Sequence, residues 1–205
     1  MPDPRSSTDE ARQLLRSRIR EQRADLTAKQ RRAAELRALA HLRQLGAYRR
    51  ARRVGAYFCV DGELSVGALM EDARRRHKRL YVPVLTKETL RFAAIDASSE
   101  FSLNRFGIPE PRARECLDPR SLDVVITPLV AFDDRGARLG MGGGYYDRCF
   151  RFLSHRSRWS RPKLVGVGYE LQRVQRIDAR SWDVGLWCAV TELGTYFFGD
   201  RDIDS

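Results

Sequence analysis

Residues 7–10 (STDE) have the form of a capping box, and Ala11, Leu14, Leu15 and Ile19 follow at helical spacing, which predicts a first helix starting there. Residues 27–30 (TAKQ) repeat the signal, with Leu36, Leu39, Ala40 and Leu42 as an apolar face and Gly46 as a stop. From Arg53 the period changes. Short apolar runs at 53–59, 80–84, 90–95, 124–127, 164–168, 188–191 and 195–198 read as buried strands, and a helical stretch at 66–77 separates the first two. Buried strands alternating with helices behind two N-terminal helices predict the α/β class. The expected fold is a mostly parallel open sheet in three α/β/α layers, with ligands beyond the carboxyl ends of the strands. No Pro/Ser/Gly-rich linker divides the 205 residues, so one domain over 1–205 is expected, large enough to bury a sizeable core.

The pattern breaks most sharply at residues 138–148, RLGMGGGYYDR. Gly140, Gly142, Gly143 and Gly144 leave little side chain, so the backbone can take left-handed angles and approach a ligand closely. The loop follows the 124–126 run and precedes a predicted helix at 145–153, whose N-terminal N–H groups would point at the glycines. Arg138 and Arg148 flank it as permanent cations, and Asp147 adds a carboxylate suited to magnesium. These are the parts of a phosphate cradle. It is neither familiar kind: Tyr145 stands where GxGxxG needs its third glycine, and no Gly-Lys-Ser/Thr follows. A plain surface turn is the alternative, and the arginines, paired tyrosines and aspartate around the glycines weigh against it.

Charge narrows the partner. The formal net charge is +11; residues 1–53 hold fifteen Lys/Arg and six Asp/Glu, hence +9 of that excess. Without an RNP motif, zinc finger or helix-turn-helix, sequence-specific nucleic-acid binding is not expected, and a small anionic ligand fits better. No apolar run approaches the length of a membrane span, and the N-terminal segment lacks a secretory or transit pattern, so the cytoplasm is expected. Cys59, Cys116, Cys149 and Cys188 have no CxxC spacing and read as buried free thiols. His41, His77 and His155 read as surface residues. No triad or GxSxG supports a protein nucleophile, which phosphoryl transfer does not need.

Residues 129–148, LVAFDDRGARLGMGGGYYDR, resemble the signature of 5-formyltetrahydrofolate cyclo-ligases, also called methenyltetrahydrofolate synthetases. The resemblance extends to FCVDGE at 58–63, FGIPEP at 106–111 and Trp182-Asp183. It implies a Rossmann-like fold similar to the NagB/RpiA/CoA-transferase-like group. The implied activity is closure of 5-formyltetrahydrofolate to 5,10-methenyltetrahydrofolate with ATP as co-substrate and Mg2+ as cofactor, in a monomer whose folate can carry a polyglutamate tail.

The same resemblance implies residue roles. Arg12 and Arg16 match a basic pair that contacts ATP, together with Arg138, Leu139, Gly140, Met141, Gly142, Gly143, Gly144, Tyr145 and Tyr146. Arg138 and Tyr146 are the expected catalytic residues. Phe58, Glu63 and Phe106 match positions against the pterin, where a carboxylate accepts N–H groups and flat rings stack. Asp147 and Asp183 are the expected metal ligands; IDARSW stands where the family has a proline before the second of them. Asp133 and Asp134 read as turn residues, the first with a possible view of the metal. Two other readings stay open from the residues alone: an α/β enzyme acting on sugar phosphates or coenzyme A, and a basic RNA-associated protein.

Overall fold

The computed structural model describes residues 4–112, 115–155 and 161–198. α1 (Pro4–Ala24), α2 (Ala28–Gln44) and α3 (Gly46–Arg50) precede β1 (Arg53–Gly55). α4 (Gly67–Arg75), β2 (Arg79–Leu85), β3 (Leu90–Ile95), β4 (Phe101–Leu103), β5 (Pro109–Pro111) and β6 (Cys116–Leu117) follow. The remainder comprises β7 (Val124–Thr127), β8 (Ala131–Asp133), β9 (Arg138–Leu139), α5 (Tyr145–Phe150), β10 (Lys163–Val167), β11 (Arg173–Val174), β12 (Cys188–Val190) and β13 (Thr195–Phe197).

Among the described residues the main sheet has eight strands in the order β13, β12, β10, β7, β1, β2, β3, β6. β12, β10, β7, β1 and β2 pair in parallel, while β13, β3 and β6 add antiparallel edges. The strand period divides the core. Val124, Ile126, Leu80, Val82 and Val165 face one way, against Ala38 and Leu42 of α2 and Leu69 of α4; Val125, Tyr81 and Leu164 face the other, against Phe132 and Phe150. That second face has a thinner cover than a full helical layer: six-residue α5, a 3-10 turn at Arg151–His155, and a small sheet of β11, β8 and β9.

Several local expectations change. α1 begins at Pro4, which suits a first helical turn, so residues 7–10 lie inside the helix; the Ser7 side chain is outside the described residues. Leu14 is exposed, and Ile19 instead packs with Val130, Ala131, Leu139 and Ile177. The Thr27 capping box is present. Gly46 is no stop: α2 ends at Gln44, extended Leu45 intervenes, and Gly46 opens α3. The buried face of α2 is Ala34, Glu35, Ala38, Leu39 and Leu42, with Leu36 turned out. All four cysteines are free, and Cys149 and Cys188 are buried, but Cys59 is exposed because β1 ends at Gly55 and the chain leaves the sheet there. Among the described residues no helix is long and apolar enough to cross a membrane.

Candidate active site

The carboxyl ends of the parallel strands open on a cleft of about 1030 Å³. That is the upper end of the roughly 300–1,000 Å³ range of small-molecule sites, which suits two ligands side by side. Arg12, Arg16, Phe58, Glu63, Phe106, Arg138, Gly140, Met141, Gly142, Gly143, Gly144, Tyr145, Tyr146, Asp147 and Asp183 all line it. Leu139 does not. It lies in β9 between them and alternates inward, fully buried against Ile19 and Val130, so its side chain is core.

The glycine loop is shaped by its neighbours. Gly142 and Gly144 have φ of 105° and 63°, angles that favour glycine. A Cβ on Gly144 would meet an Arg148 nitrogen at 2.8 Å, whereas one on Gly140 would meet nothing within 4 Å. Arg16 Nε donates to Gly140 O at 2.9 Å and Arg148 Nη2 to Gly143 O at 2.8 Å, so arginines hold loop carbonyls. Among the described residues the N–H groups of Gly142, Gly143 and Gly144 find no protein acceptor. α5 is too short to contribute much dipole, and these N–H groups and the surrounding cations carry the attraction for an anion. Burial, then Arg12 and Arg20, lowers the Arg16 pKa, the signature of crowded cations that an anion would relieve.

The two acids are braced by arginines. Arg138 is buried and donates from Nη2 to Asp147 Oδ1 at 2.9 Å, and Val184 N donates to the same oxygen at 3.1 Å. Asp183, next in chain to Val184, accepts on Oδ2 from Arg12 Nη1 and from Arg180 N, both at 3.0 Å. Asp147 Oδ2 and Asp183 Oδ1 have no protein donor among the described residues. Two carboxylates on one cleft, each with an oxygen to spare, fit the one or two that magnesium normally takes. Asp133 does not join them. Fully buried, it accepts from Arg135 N, Ala137 N and Ile177 N and closes its turn.

An aromatic and acidic group lines the same cleft. Phe58 packs edge-on to Phe101 at 5.3 Å, and Phe106, on the β4–β5 hairpin, packs edge-on to Tyr145 at 6.3 Å. Glu110 anchors that hairpin by accepting from Leu85 N and Asn104 Nδ2, each at 2.9 Å. Tyr145 is engaged, with Arg105 donating to its hydroxyl and Arg148 over its ring. Tyr146 is different: the residue lines the cleft, its hydroxyl is buried with no partner among the described residues, and burial pushes its pKa far up. Glu63 is 8% exposed, and burial pushes its pKa up to about 7 against the pull of the Val60 N–H and Arg23.

The basic face of α1 was only half legible. Arg12, Arg16, Arg20 and Arg23 share one helical face, a spacing visible in the sequence, yet such a stripe reads as solvated until something covers it. Arg20 donates to Asp61 Oδ2 at 3.0 Å and to Met141 Sδ at 3.5 Å, tying the acidic wall to the glycine loop. Arg180 joins the mouth, with Trp182 beneath its guanidinium.

The 5-formyltetrahydrofolate cyclo-ligase family matches residues 8–192. A 5-formyltetrahydrofolate cyclo-ligase of Haemophilus influenzae is 39% identical over 183 residues, covering 86% of this chain and 95% of that protein. One of Escherichia coli is 36% identical over 178 residues, covering 84% and 96%. The NMR structure of Aquifex aeolicus 5,10-methenyltetrahydrofolate synthetase is similar with a TM-score of 0.78 at 26% identity, over 95% of this chain and 96% of that one. With the mostly parallel sheet and its cleft, these likenesses show that the chain belongs to the 5-formyltetrahydrofolate cyclo-ligase family.

Proposed function

We propose that this cleft binds ATP and 5-formyltetrahydrofolate together and closes the formyl group onto N10, giving 5,10-methenyltetrahydrofolate, ADP and phosphate. The formyl oxygen attacks the γ-phosphorus and ADP leaves. N10 then attacks the activated carbon, loses its proton, and phosphate departs with the former formyl oxygen. The observation that carries this reading is the meeting of both half-sites in one cleft. The loop glycines and Arg16 line it together with Phe58, Glu63, Phe106 and Tyr146, whose buried hydroxyl is unpartnered among the described residues.

Each residue has a task its surroundings support. Gly140 and Gly142–Gly144, which line the cleft, are assigned to cradle the phosphates, with Arg12, Arg16 and Arg138 matching their charge and Arg138 and Tyr146 serving the reacting oxygens. Met141 and Tyr145 complete the ATP wall, and the Leu139 role reduces to its place in β9. Glu63 accepts pterin N–H groups while Phe58 and Phe106 flank the ring. Asp147 and Asp183 are the residues that would hold magnesium, which when bound neutralises phosphate charge. A cleft drawing on residues 9 to 183 of one chain supports one domain and a monomer, and the basic mouth supports polyglutamylated substrates. Mixing pure protein with 5-formyltetrahydrofolate, ATP and magnesium tests the proposal: the absorbance of methenyltetrahydrofolate must appear and must depend on ATP, and its absence refutes it.

A further inference from the structure

Arg23 ends the basic face of α1 and differs from the three arginines before it. Its side chain is fully buried, and Nε, Nη1 and Nη2 have no hydrogen-bond partner among the described residues. A buried, unpaired guanidinium is among the costliest groups a fold can hold, and it is tolerated when a nearby anion offsets it. The carboxylate whose field it feels most strongly is Glu63. Arg31 fastens the two segments, donating from Nη2 to Arg23 O and from Nη1 to Gly62 O at 3.1 Å. Glu63 lines the cleft and Arg23 does not, so Arg23 can influence a ligand only through Glu63.

We propose that Arg23 is a positioning residue of the folate half-site: its buried guanidinium holds Glu63 in the carboxylate form and so sets how tightly the pterin is gripped. This rests on the reading of Glu63 as the pterin carboxylate. The other groups that face Glu63 do not supply the same charge. Arg20, also on α1, is half-exposed and paired with Asp61, whose own charge opposes ionisation of Glu63. Burial holds Tyr57, just beyond β1, and Tyr146 of α5 neutral, and the thiol of exposed Cys59 in the following loop is raised by partial desolvation and by the Glu63 charge. Burial drives Glu63 toward protonation near neutral pH, the Val60 N–H and Arg23 drive it back, and only Arg23 brings an uncommitted full charge.

The test compares KM for 5-formyltetrahydrofolate and for ATP across the neutral pH range in wild type, Arg23→Met, Arg23→Lys and Glu63→Gln. In wild type the folate KM should fall as pH rises through about 7. Arg23→Met should move that inflection up by about one pH unit and raise the folate KM roughly fivefold at pH 7 and about tenfold well below it, with ATP unchanged. Arg23→Lys should restore the wild-type inflection. A purely structural lesion would not recover at high pH, as Arg23→Met should. Arg23→Gln carries the same expectation should the methionine variant fail to fold, and the Glu63 carboxyl infrared band reads the same midpoint without ligand. A wild-type inflection in Arg23→Met, with Glu63→Gln still weak for folate, overturns the role of Arg23. Unchanged folate affinity in Glu63→Gln overturns the Glu63 reading itself.

Discussion

Replacing Gly140 by alanine separates ligand approach from folding. The added methyl meets no protein atom within 4 Å, and Gly140 is not among the glycines with positive φ, so the fold accepts it without strain. Gly→Ala at a compatible position stabilises by about 0.4–1 kcal/mol through the unfolded chain. In a chain of this size that corresponds to a melting temperature unchanged or raised by roughly 1–4 °C. The open face of Gly140 is cleft. If phosphates approach there, the methyl displaces at least one charge-assisted contact worth about 1.5–3 kcal/mol, a loss of roughly 10- to 150-fold in ATP affinity. Calorimetric titration with ATP beside a thermal melt reads both quantities on one sample. Wild-type ATP affinity in Gly140→Ala would refute the phosphate cradle, and a lowered melting temperature would show that Gly140 serves packing.

Other expectations follow from the same geometry. Tyr146→Phe removes a buried hydroxyl without a partner, so stability should hold or rise while kcat/KM drops about 3- to 10-fold, the worth of one neutral hydrogen bond; a stability loss with intact turnover contradicts this. Asp147→Asn should abolish most activity, and Asp183→Asn should lower it with partial rescue by excess magnesium. A lowered melting temperature in Asp183→Asn with wild-type magnesium dependence would leave Asp183 as partner of Arg12 and of the Arg180 N–H alone. Glu63 has its folded pKa raised above the unfolded value of 4.5 to about 7, so the folded state binds the extra proton: this contribution is full below 4.5 and lost as pH rises through about 7. At about 1.4 kcal/mol per pH unit the ionised carboxyl costs on the order of 3–4 kcal/mol above neutrality. Glu63→Gln should therefore melt higher than wild type in alkaline buffer, and equal melting curves at every pH contradict the burial argument.

What the sequence disclosed follows from the range of the forces involved. Apolar runs such as 124–127 and 164–168 became β7 and β10 because strand burial is written locally. The glycine loop was legible for the same reason, its backbone demands being set by its own residues. Edge strands β3 and β13 also appeared as apolar runs, but nothing local shows that they pair antiparallel. Long-range contacts stayed hidden. Arg16 reaches Gly140 across 124 residues and Arg12 reaches Asp183 across 171, so a cleft wall looked like a solvated helix face. The inward turn of the Leu139 side chain, between Arg138 and Gly140 that line the cleft, follows from β-strand alternation and was not read from the loop sequence. Arg23 looked like its neighbours, and burial alone distinguishes it.

The most direct measurement of the central claim, that one cleft brings the formyl oxygen to the γ-phosphate of ATP, follows that oxygen. 5-Formyltetrahydrofolate carrying heavy oxygen in its formyl group is incubated with the protein, ATP and magnesium, and the released inorganic phosphate is analysed by mass spectrometry. The account requires the label in phosphate in step with methenyltetrahydrofolate formed. Unlabelled phosphate, or phosphate released without methenyltetrahydrofolate, would contradict it.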